Sequence, residues 1–503
     1  MIFAFSDYTV DNERLELSGP SGPIPLQPQA FNLLVFLIEH AGRVVSKDEI
    51  FEAVWQGRIV GDGTLNARIN AIRTAVGDDG TRQAVIKTLP RQGFRFVANL
   101  DDGVAVRSEV AQPSGPAKSV GILPFTNIGN DDEQAYFADG LTEDLITDLS
   151  KVQDLFVIAR NTAFSFKGSS RSTIEIGRDM GVAHILEGSV RRAGDRIRIN
   201  AQLVETKTGG SVWAERYDRD FSDIFAVQDD ITSEITRALQ ANLQSNEGIN
   251  RGASAEAYEL CLRARALFFK FQPDAFVECL ALLDQAVEID PSYSRAWAEQ
   301  VFPYQSGHTF GFPGFENGLS VAIEKGRRAV ELDDKSGFAH ARLAWALTIN
   351  GEHDPSLEHF SRAVELEPNN ADVYSWYCEA LNFAGLPDQA VDAAETCLHF
   401  DPVAPPNVLH HLGHAKFLLG DYATAIELEG RVARVMPSFM PGRIIATAAL
   451  VENGQIAEAV EQIQDTLSLN PDFKLQHFQE RYPYRDAAQL DRITKSLIAA
   501  GLK

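Results

Sequence analysis

The spacing of apolar and polar positions changes along the chain and divides it into segments. Residues 1–100 combine helical periodicity with a terminal pair of short apolar runs that are typical of strands. A polar stretch containing Pro and Gly, residues 101–118, has no period and predicts a linker. Strand-like and helical runs alternate in residues 119–245, and residues 254–503 are helical in pattern throughout. We therefore expect a multidomain α+β chain that ends in an α-helical array.

The N-terminal segment predicts three helices followed by a hairpin. "PQAFNLLVFLIEHAG" is amphipathic, and "SKDEIFEAVW" begins with the capping-box pair Ser46 and Glu49. A third helix is expected from about Gly63 to Val76, and "VIKTLPRQGFRFVA" reads as two strands around a tight turn. Short strands, three helices and a hairpin predict a winged helix–turn–helix.

The third helix has an apolar stripe and an outward polar strip. At about 100° per residue the stripe is formed by Leu65, Ile69, Ile72 and Val76. The opposite strip is a candidate for reading DNA in the major groove, with the alternative that its side chains are solvated groups of an ordinary three-helix domain.

The stretches "GRVVSKDEIFEAVW", "LNARINAIRTAVGDD" and "VIKTLPRQGFRFV" together resemble the OmpR/PhoB-type winged-helix domain over about residues 3–98. The CadC-like subgroup, in which this domain is N-terminal, is the nearest in character. No receiver domain precedes it and no membrane span follows, so neither control by aspartyl phosphate nor membrane-anchored sensing is expected. The resemblance implies binding to double-stranded promoter DNA.

The geometry of the third helix and the wing assigns roles to candidate DNA contacts. Asn70 suits an adenine edge, and Ala67, Ala71 and Thr74 suit thymine methyl groups. Arg68 and Arg73 are placed for phosphates or flanking bases, and Arg91 at the wing tip for the minor groove or backbone. The predicted contacts are Thr64, Asn66, Ala67, Arg68, Asn70, Ala71, Arg73, Thr74, Lys87, Thr88, Arg91 and Arg95.

The charge distribution permits DNA binding in the first segment. The whole chain has a formal net charge of −24, but residues 58–95 hold seven basic and three acidic side chains. Residues 253–503 hold 35 acidic and 20 basic side chains, so phosphates would be repelled there.

The middle segment predicts one α/β domain with the order βαβαβββα. Strands are expected at "SVGILPF", "LFVIAR", "AHILEGSVRR", "RIRINAQLVET" and "SVWAERYDR", and Ser172 with Glu175 has capping-box spacing. The segment resembles the TolB N-terminal-like domain of bacterial regulators, carried by "VGILPFTNIGNDDEQAYFADGLTEDLITDLSKV" and "GVAHILEGSVRRAGDRIRINAQLVETKTGGSVWAERYDRDFSDIFAVQDDI". It lacks GxGxxG and GxxxxGK[ST], which argues against a nucleotide site, although a nucleotide-sensing regulator is a third, weaker interpretation.

The last segment repeats one helix end six times. "AVEIDP", "AVELDD", "AVELEP", "CLHFDP", "VARVMP" and "TLSLNP" recur mostly every 34 or 35 residues, with "GHTFGFPGFENG" as an insertion after the first. Glycines at 351, 385, 420 and 454 precede each closing position by 17 residues. This period is the signature of tetratricopeptide repeats.

A groove formed by these repeats is expected to bind a protein or peptide. Its predicted lining is Trp345, Ser375, Glu379, Asn382, His410 and His414. His410 and His414 are spaced i,i+4, as in some metal sites, but no third ligand or HExxH motif accompanies them. A basic or neutral peptide, bound in a pH-dependent manner, is the preferred interpretation.

The sequence therefore predicts a cytoplasmic bacterial transcription regulator without enzymatic activity, cofactor or metal. Expected partners are promoter DNA, a protein or peptide at the repeats and a second copy of the chain on DNA, with RNA polymerase as a further candidate. The four cysteines form no CxxC pair and are expected to be reduced. The rival hypothesis is a repeat scaffold that uses the winged helix to dock protein.

Overall fold

The chain forms two compact units, Met1–Gln112 and Pro113–Lys503, in a computed structural model. The structure describes residues 2–98 with gaps at 7, 12–15, 20–21, 25, 27, 42, 48, 51–61, 80 and 90–92. It also describes 116–240 except 130–134, and 254–502 except 269 and 472. Most of the predicted linker therefore lies outside the described residues.

The first unit is a winged helix with a four-stranded antiparallel sheet in front of it. The sheet contains, in chain order, β1 (Ile2–Phe5), β2 (Tyr8–Asp11), β3 (Glu16–Gly19) and β4 (Gly22–Ile24). The elements that follow are α1 (Pro28–Glu39), α2 (Asp62–Ala75), β5 (Ile86–Leu89) and β6 (Gly93–Phe96). One core joins them, with Phe5, Phe31 and Phe96 almost fully buried.

The hairpin of β5 and β6 is fixed to the chain before the second predicted helix. Val45 and Phe94 exchange two backbone hydrogen bonds, with N···O distances of 2.8 and 2.9 Å. A Cβ atom on Gly93, whose φ is +134°, would lie 1.9 Å from the Val45 carbonyl oxygen, so this position requires glycine. The predicted capping box of Ser46 and Glu49 is confirmed, and the rest of that predicted helix, residues 51–55, lies outside the described residues.

The second unit begins with an α/β domain, which we define as residues 116–240. Its sheet has the order β12-β11-β10-β7-β9, with β8 pairing with β10. The β10–β11 and β11–β12 pairs are antiparallel, whereas β7 is parallel to both β9 and β10. The strands are β7 (Ser119–Ile122), β8 (Thr126–Asn127), β9 (Phe156–Val157), β10 (His184–Ala193), β11 (Arg196–Glu205) and β12 (Ser211–Asp220).

Four helices complete the domain: α3 (Ala135–Ser150), α4 (Arg160–Phe164), α5 (Thr173–Met180) and α6 (Ile224–Ala238). The predicted order of elements is confirmed, with β8 and α4 as short additions. The capping box at Ser172 and Glu175 is formed in both directions.

The rest of the described chain is a helical array of six antiparallel pairs. The pairs are α7 (Ala255–Phe268) with α8 (Pro273–Ile289), α9 (Ser294–Thr309) with α10 (Gly318–Leu332), α11 (Gly337–Ile349) with α12 (His353–Leu366), α13 (Ala371–Phe383) with α14 (Pro387–Phe400), α15 (Pro406–Leu418) with α16 (Tyr422–Val435), and α17 (Met440–Glu452) with α18 (Ile456–Leu469). Two further helices follow, α19 (Leu475–Arg481) and α20 (Ala487–Ala499). The second helix of every pair ends in one of the six repeated sequence motifs, which confirms the predicted period.

The α/β domain packs against the array through several contacts, and two of them centre on a carboxylate that accepts hydrogen bonds from the other part. At the first, Tyr258 and Leu262 of α7 belong to the core of the α/β domain, and the Asp144 carboxylate accepts hydrogen bonds from Tyr258 (2.6 Å) and Arg265 (3.0 Å). At the second, Asp401 after α14 accepts hydrogen bonds from the Thr162 N–H (3.0 Å) and hydroxyl (2.5 Å). None of the helices among the described residues combines the length and the apolar character needed to cross a membrane.

Candidate DNA-binding surface and the repeat groove

Helix α2 has one buried face and one exposed face, as predicted. Leu65, Ile69, Ile72 and Val76 are at most 3% exposed. The residues opposite them are open to solvent: Ala67, Asn70 and Thr74 are exposed, and Ala71 is half-buried. A helix in this position with short side chains on its outer face can approach the floor of the major groove closely.

Arg73 does not belong to that exposed face, which corrects its assignment to phosphates or flanking bases. Its side chain is 6% exposed. Its Nη2 atom donates to the Ile86 carbonyl (2.8 Å) and to the Thr88 hydroxyl (2.9 Å). Arg73 therefore ties α2 to strand β5 of the wing, because both acceptors lie on that strand.

Asp78, just after α2, makes a second connection to the wing. Its carboxylate accepts hydrogen bonds from the backbone N–H groups of Ala84, Val85 and Ile86 at 2.8 to 3.2 Å. Burial works against the charged form, but these N–H groups outweigh it and lower the pKa of Asp78. Neither the connection through Asp78 nor that through Arg73 was predicted from the sequence.

The remaining predicted DNA contacts fall into two groups. Lys87 is exposed on β5, whereas Thr88, Arg95 and Arg68 are half-buried. The side chains of Thr64 and Asn66, and the whole of Arg91, lie outside the described residues. The exposed set on the surface formed by α2 and the hairpin is therefore Ala67, Asn70, Thr74 and Lys87, which we call the DNA face.

The predicted lining of the repeat groove is buried, which corrects its assignment as an open partner surface. Ser375, Glu379, Asn382, His410 and His414 are each at most 5% exposed, and Trp345 is half-buried against the apolar cluster that contains Phe360. These polar groups bond one another instead of facing solvent. His414 Nδ1 lies 3.0 Å from Glu379 Oε1, and His410 Nδ1 lies 2.8 Å from Glu429 Oε1.

The chain's own C-terminal part covers this cluster. Residues 482–485, which we call the strap, connect α19 to α20. The Tyr484 hydroxyl lies 2.8 Å from His414 Nε2, and the Arg485 N–H donates to the Phe383 carbonyl at 2.9 Å. Arg485 also forms an ion pair with Asp354. The strap thus occupies the place where a peptide ligand was expected.

Burial and neighbouring charges shift the pKa values of the acids and histidines in this cluster. Burial works against the charged form of Glu379, but the adjacent His414 outweighs it and the pKa of Glu379 is lowered. Burial lowers the pKa of His410 and lowers that of His411 to about 4, whereas burial raises the pKa of Glu429. At neutral pH Glu379 therefore carries a charge, whereas burial opposes ionisation of Glu429. Within the part of the chain that the structure describes, no group of three or more His, Cys, Asp or Glu side chains is arranged to hold a metal ion.

A family model matches part of the first unit. Residues 21–96 match the family described as "Transcriptional regulatory protein, C terminal". The first unit therefore carries an OmpR/PhoB-type DNA-binding domain.

Three curated relatives match different shares of the chain. "Putative adenylate cyclase 3" of Rhizobium meliloti (strain 1021) is 43% identical over 242 residues, which cover 47% of this chain and 41% of that protein. "Transcriptional regulator HilA" of Salmonella typhi is 23% identical over 404 residues, covering 80% of this chain and 70% of that protein. "Transcriptional activator CadC" of Escherichia coli (strain K12) is 30% identical over 83 residues, 16% of each chain. The chain thus spans less than half of the first relative.

Proposed function

We propose that the chain is a sequence-specific transcriptional regulator that binds promoter DNA through the DNA face. The exposed side chains of Asn70, Thr74 and Ala67, opposite a fully buried stripe on α2, carry this proposal. The family match over residues 21–96 and the similarity to proteins named as transcriptional regulators support it. A cytoplasmic location agrees with access to DNA and with four free, buried cysteines.

Two copies on adjacent half-sites would supply the affinity that one DNA face lacks. The outer face of α2 includes Ala67 and Ala71, which offer only methyl contacts, so specificity per domain is small. Half-sites about one helical turn apart fit a pair of winged helices. RNA polymerase remains a candidate partner of the same complex.

We infer that a protein or peptide partner of the repeats contacts surfaces outside the filled groove. This follows from the burial of Glu379 and His414 beneath the strap. A partner that used the groove itself would first have to displace Tyr484 and Arg485.

We also infer that the chain is not an enzyme, although one relative is named as an adenylate cyclase. The sequence has no phosphate-binding loop motif of the GxxxxGK[ST] type, and the match covers 41% of that relative. Incubation of the purified chain with ATP and magnesium should give no cyclic AMP. Cyclic AMP formation above a boiled control would refute this inference.

The DNA face is tested with two matched asparagine variants on an operator selected from random DNA. Asn70→Ala should weaken binding by about 1–3 kcal/mol and relax the preference at one base pair. Asn32→Ala, an exposed asparagine on α1, is the control and should bind like the unchanged chain. Affinity should fall steeply with salt, by a slope of about −0.9 per phosphate contact. Equal binding by both variants, or no dependence on salt, would favour the scaffold hypothesis.

A further inference from the structure

The α/β domain contains an open cavity of about 720 Å³ on one face of its sheet. Glu187 and Ser189 of β10 line it together with Asn200 and Gln202 of β11. These residues share a face because Glu187 is paired with Gln202, and Ser189 with Asn200, in the antiparallel register. The neighbours Leu186, Val190, Ile199 and Leu203 point to the opposite, apolar face.

The cavity lies where α/β folds commonly bind ligands. Its wall includes Leu123 and Pro124, which follow β7 directly. Strand β7 lies between β9 and β10, and the chain runs from β7 to β9 on one side before it returns to β10 on the other. The strand order therefore reverses at β7, and the crevice beyond the carboxyl ends of parallel strands at such a point is a general ligand site. A volume between about 300 and 1,000 Å³ suits a small molecule.

The second wall closes the cavity opposite the sheet. It consists of the loop 166–171 and the first turns of α5, with Thr173 and Ile176 facing in. The Thr173 hydroxyl donates to Glu187 Oε2 at 2.8 Å, and the Gln202 amide donates to Glu187 Oε1 at 2.9 Å. Glu187 is thus held in place, half-buried, by neutral donors from both walls.

The charged side chain held between the two walls of the cavity is the carboxylate of Glu187. Of the three basic side chains in the lining, Lys167 pairs with Asp139 (2.6 Å) and Arg171 with Asp179 (2.6 Å), whereas Arg216 shares Asp218 (3.3 Å) with Arg196 and Arg198. By contrast, Glu187 forms no salt bridge with any residue that the structure describes. A half-buried carboxylate bonded only by neutral groups gains most from a cationic donor, because charge-assisted hydrogen bonds are about twice as strong as neutral ones.

We propose that this cavity binds a small organic cation whose protonated amino group donates to Glu187. Asn200, Gln202 and Ser189 supply hydrogen bonds to polar groups of the same molecule, and Ile176 and Leu123 contact its carbon skeleton. The site does not depend on DNA binding, so its test is separate from that of the proposed function.

The test is calorimetric titration of the full chain with putrescine, spermidine and ethanolamine. At least one amine should bind saturably at millimolar concentration or below. Butanediol, the neutral counterpart of putrescine, and succinate, an anion of similar length, should not bind. Glu187→Gln keeps one oxygen acceptor and presents its NH2 group to the other partner, Thr173 or Gln202, whose side-chain oxygen can accept it. It should weaken amine binding by about tenfold or more, which is about 1.4 kcal/mol.

Two further variants separate the site from the stability of the fold. Glu215→Gln, at the exposed rim, should change amine affinity little. Ala214→Phe, at an exposed position of the edge strand β12, places an aromatic ring in the cavity and should abolish binding. The proposal is overturned if none of the three amines binds, if succinate binds in their place, or if the affinity is unchanged in Glu187→Gln and Ala214→Phe.

Discussion

Arg73 and Asp78 each bond backbone atoms of the wing, so the position of β5 against α2 depends on two charged side chains. Arg73 reaches the Ile86 carbonyl from the helix, and Asp78 collects N–H groups from the loop and the start of β5. Both side chains are less than 10% exposed. Their effect on DNA binding is therefore indirect, through the relative placement of the recognition helix and the hairpin.

Arg73→Ala should destabilise the first unit without removing a phosphate contact. It leaves the Ile86 carbonyl without its side-chain donor, which costs about 1–3 kcal/mol of unfolding free energy. Lys87→Ala, on the exposed side of the same strand, should leave stability unchanged and reduce the magnitude of the salt slope of DNA binding by about one. Chemical denaturation and salt titration measure the two effects. The opposite assignment, with Arg73→Ala changing only the salt slope, would contradict the buried role.

The lowered pKa of His411 predicts how the stability of the second unit depends on pH. The pKa of His411 is about 4 in the folded chain, against 6.5 as the ordinary value. Between these values unfolding takes up a proton, so stability falls as the pH falls from 6.5 to 4. Neighbouring His410 contributes in the same direction, and Glu429 opposes it because its pKa is raised.

His411→Asn should remove one proton from this dependence, which is about 1.4 kcal/mol per pH unit within the window. Thermal denaturation at several pH values between 4 and 6.5 gives the slope. Identical slopes for His411→Asn and the unchanged chain would contradict the assignment.

The repeat helices were predictable because their period is local, whereas the contents of the groove were not. The turn from first to second helix in each of the last four pairs contains a glycine with positive φ: Gly351, Gly385, Gly420 and Gly454 have φ between 77° and 84°. Burial of the groove depends on Tyr484, which lies 70 residues beyond His414 in sequence. A helical period shows which side of a helix meets its neighbour, and it does not show what covers the other side.

Contacts from residues far away in the sequence also explain why the burial of Arg73 was not predicted. The period of α2 places Arg73 beside the outward strip, but the strand that accepts its hydrogen bond lies 13 residues later in the sequence. Asp401 lies in the motif that ends its repeat, and its carboxylate also accepts hydrogen bonds from Asn161 and Thr162 of the α/β domain. The motif predicts the helix end, and the interface adds a role that the motif cannot specify.

Asp401→Ala should destabilise the second unit more than the matched change in another repeat. It leaves the buried Thr162 N–H and the Asn161 amide without their carboxylate acceptor, at a cost of about 3 kcal/mol. Asp333 occupies the corresponding position after α10, where it accepts the N–H of Lys335. Asp333→Ala should cost less than about 1 kcal/mol. Equal losses in denaturant titrations would mean that Asp401 acts only as the end of its own helix.

The α/β domain and the array form one unit because they share a core. Tyr258 and Leu262 lie on the first repeat helix, yet they pack among the apolar residues of the α/β domain. Arg265 joins Asp144 of α3 to Glu299 of α9 through ion pairs of 3.0 and 3.2 Å. Separating the two parts would expose this core and leave buried charges unpaired, which is strongly unfavourable.

The full chain should therefore unfold in two calorimetric transitions, one for each compact unit, and not in one transition for each predicted domain. Leu262→Ala should lower the temperature of the second unit's transition as a whole by removing a buried leucine, at about 2–5 kcal/mol. Leu37→Ala, in the core of the first unit, should shift only the other transition. A third transition would contradict this prediction. So would separate melting of the α/β domain in Leu262→Ala with the array's transition unchanged, because the two parts would then not unfold cooperatively.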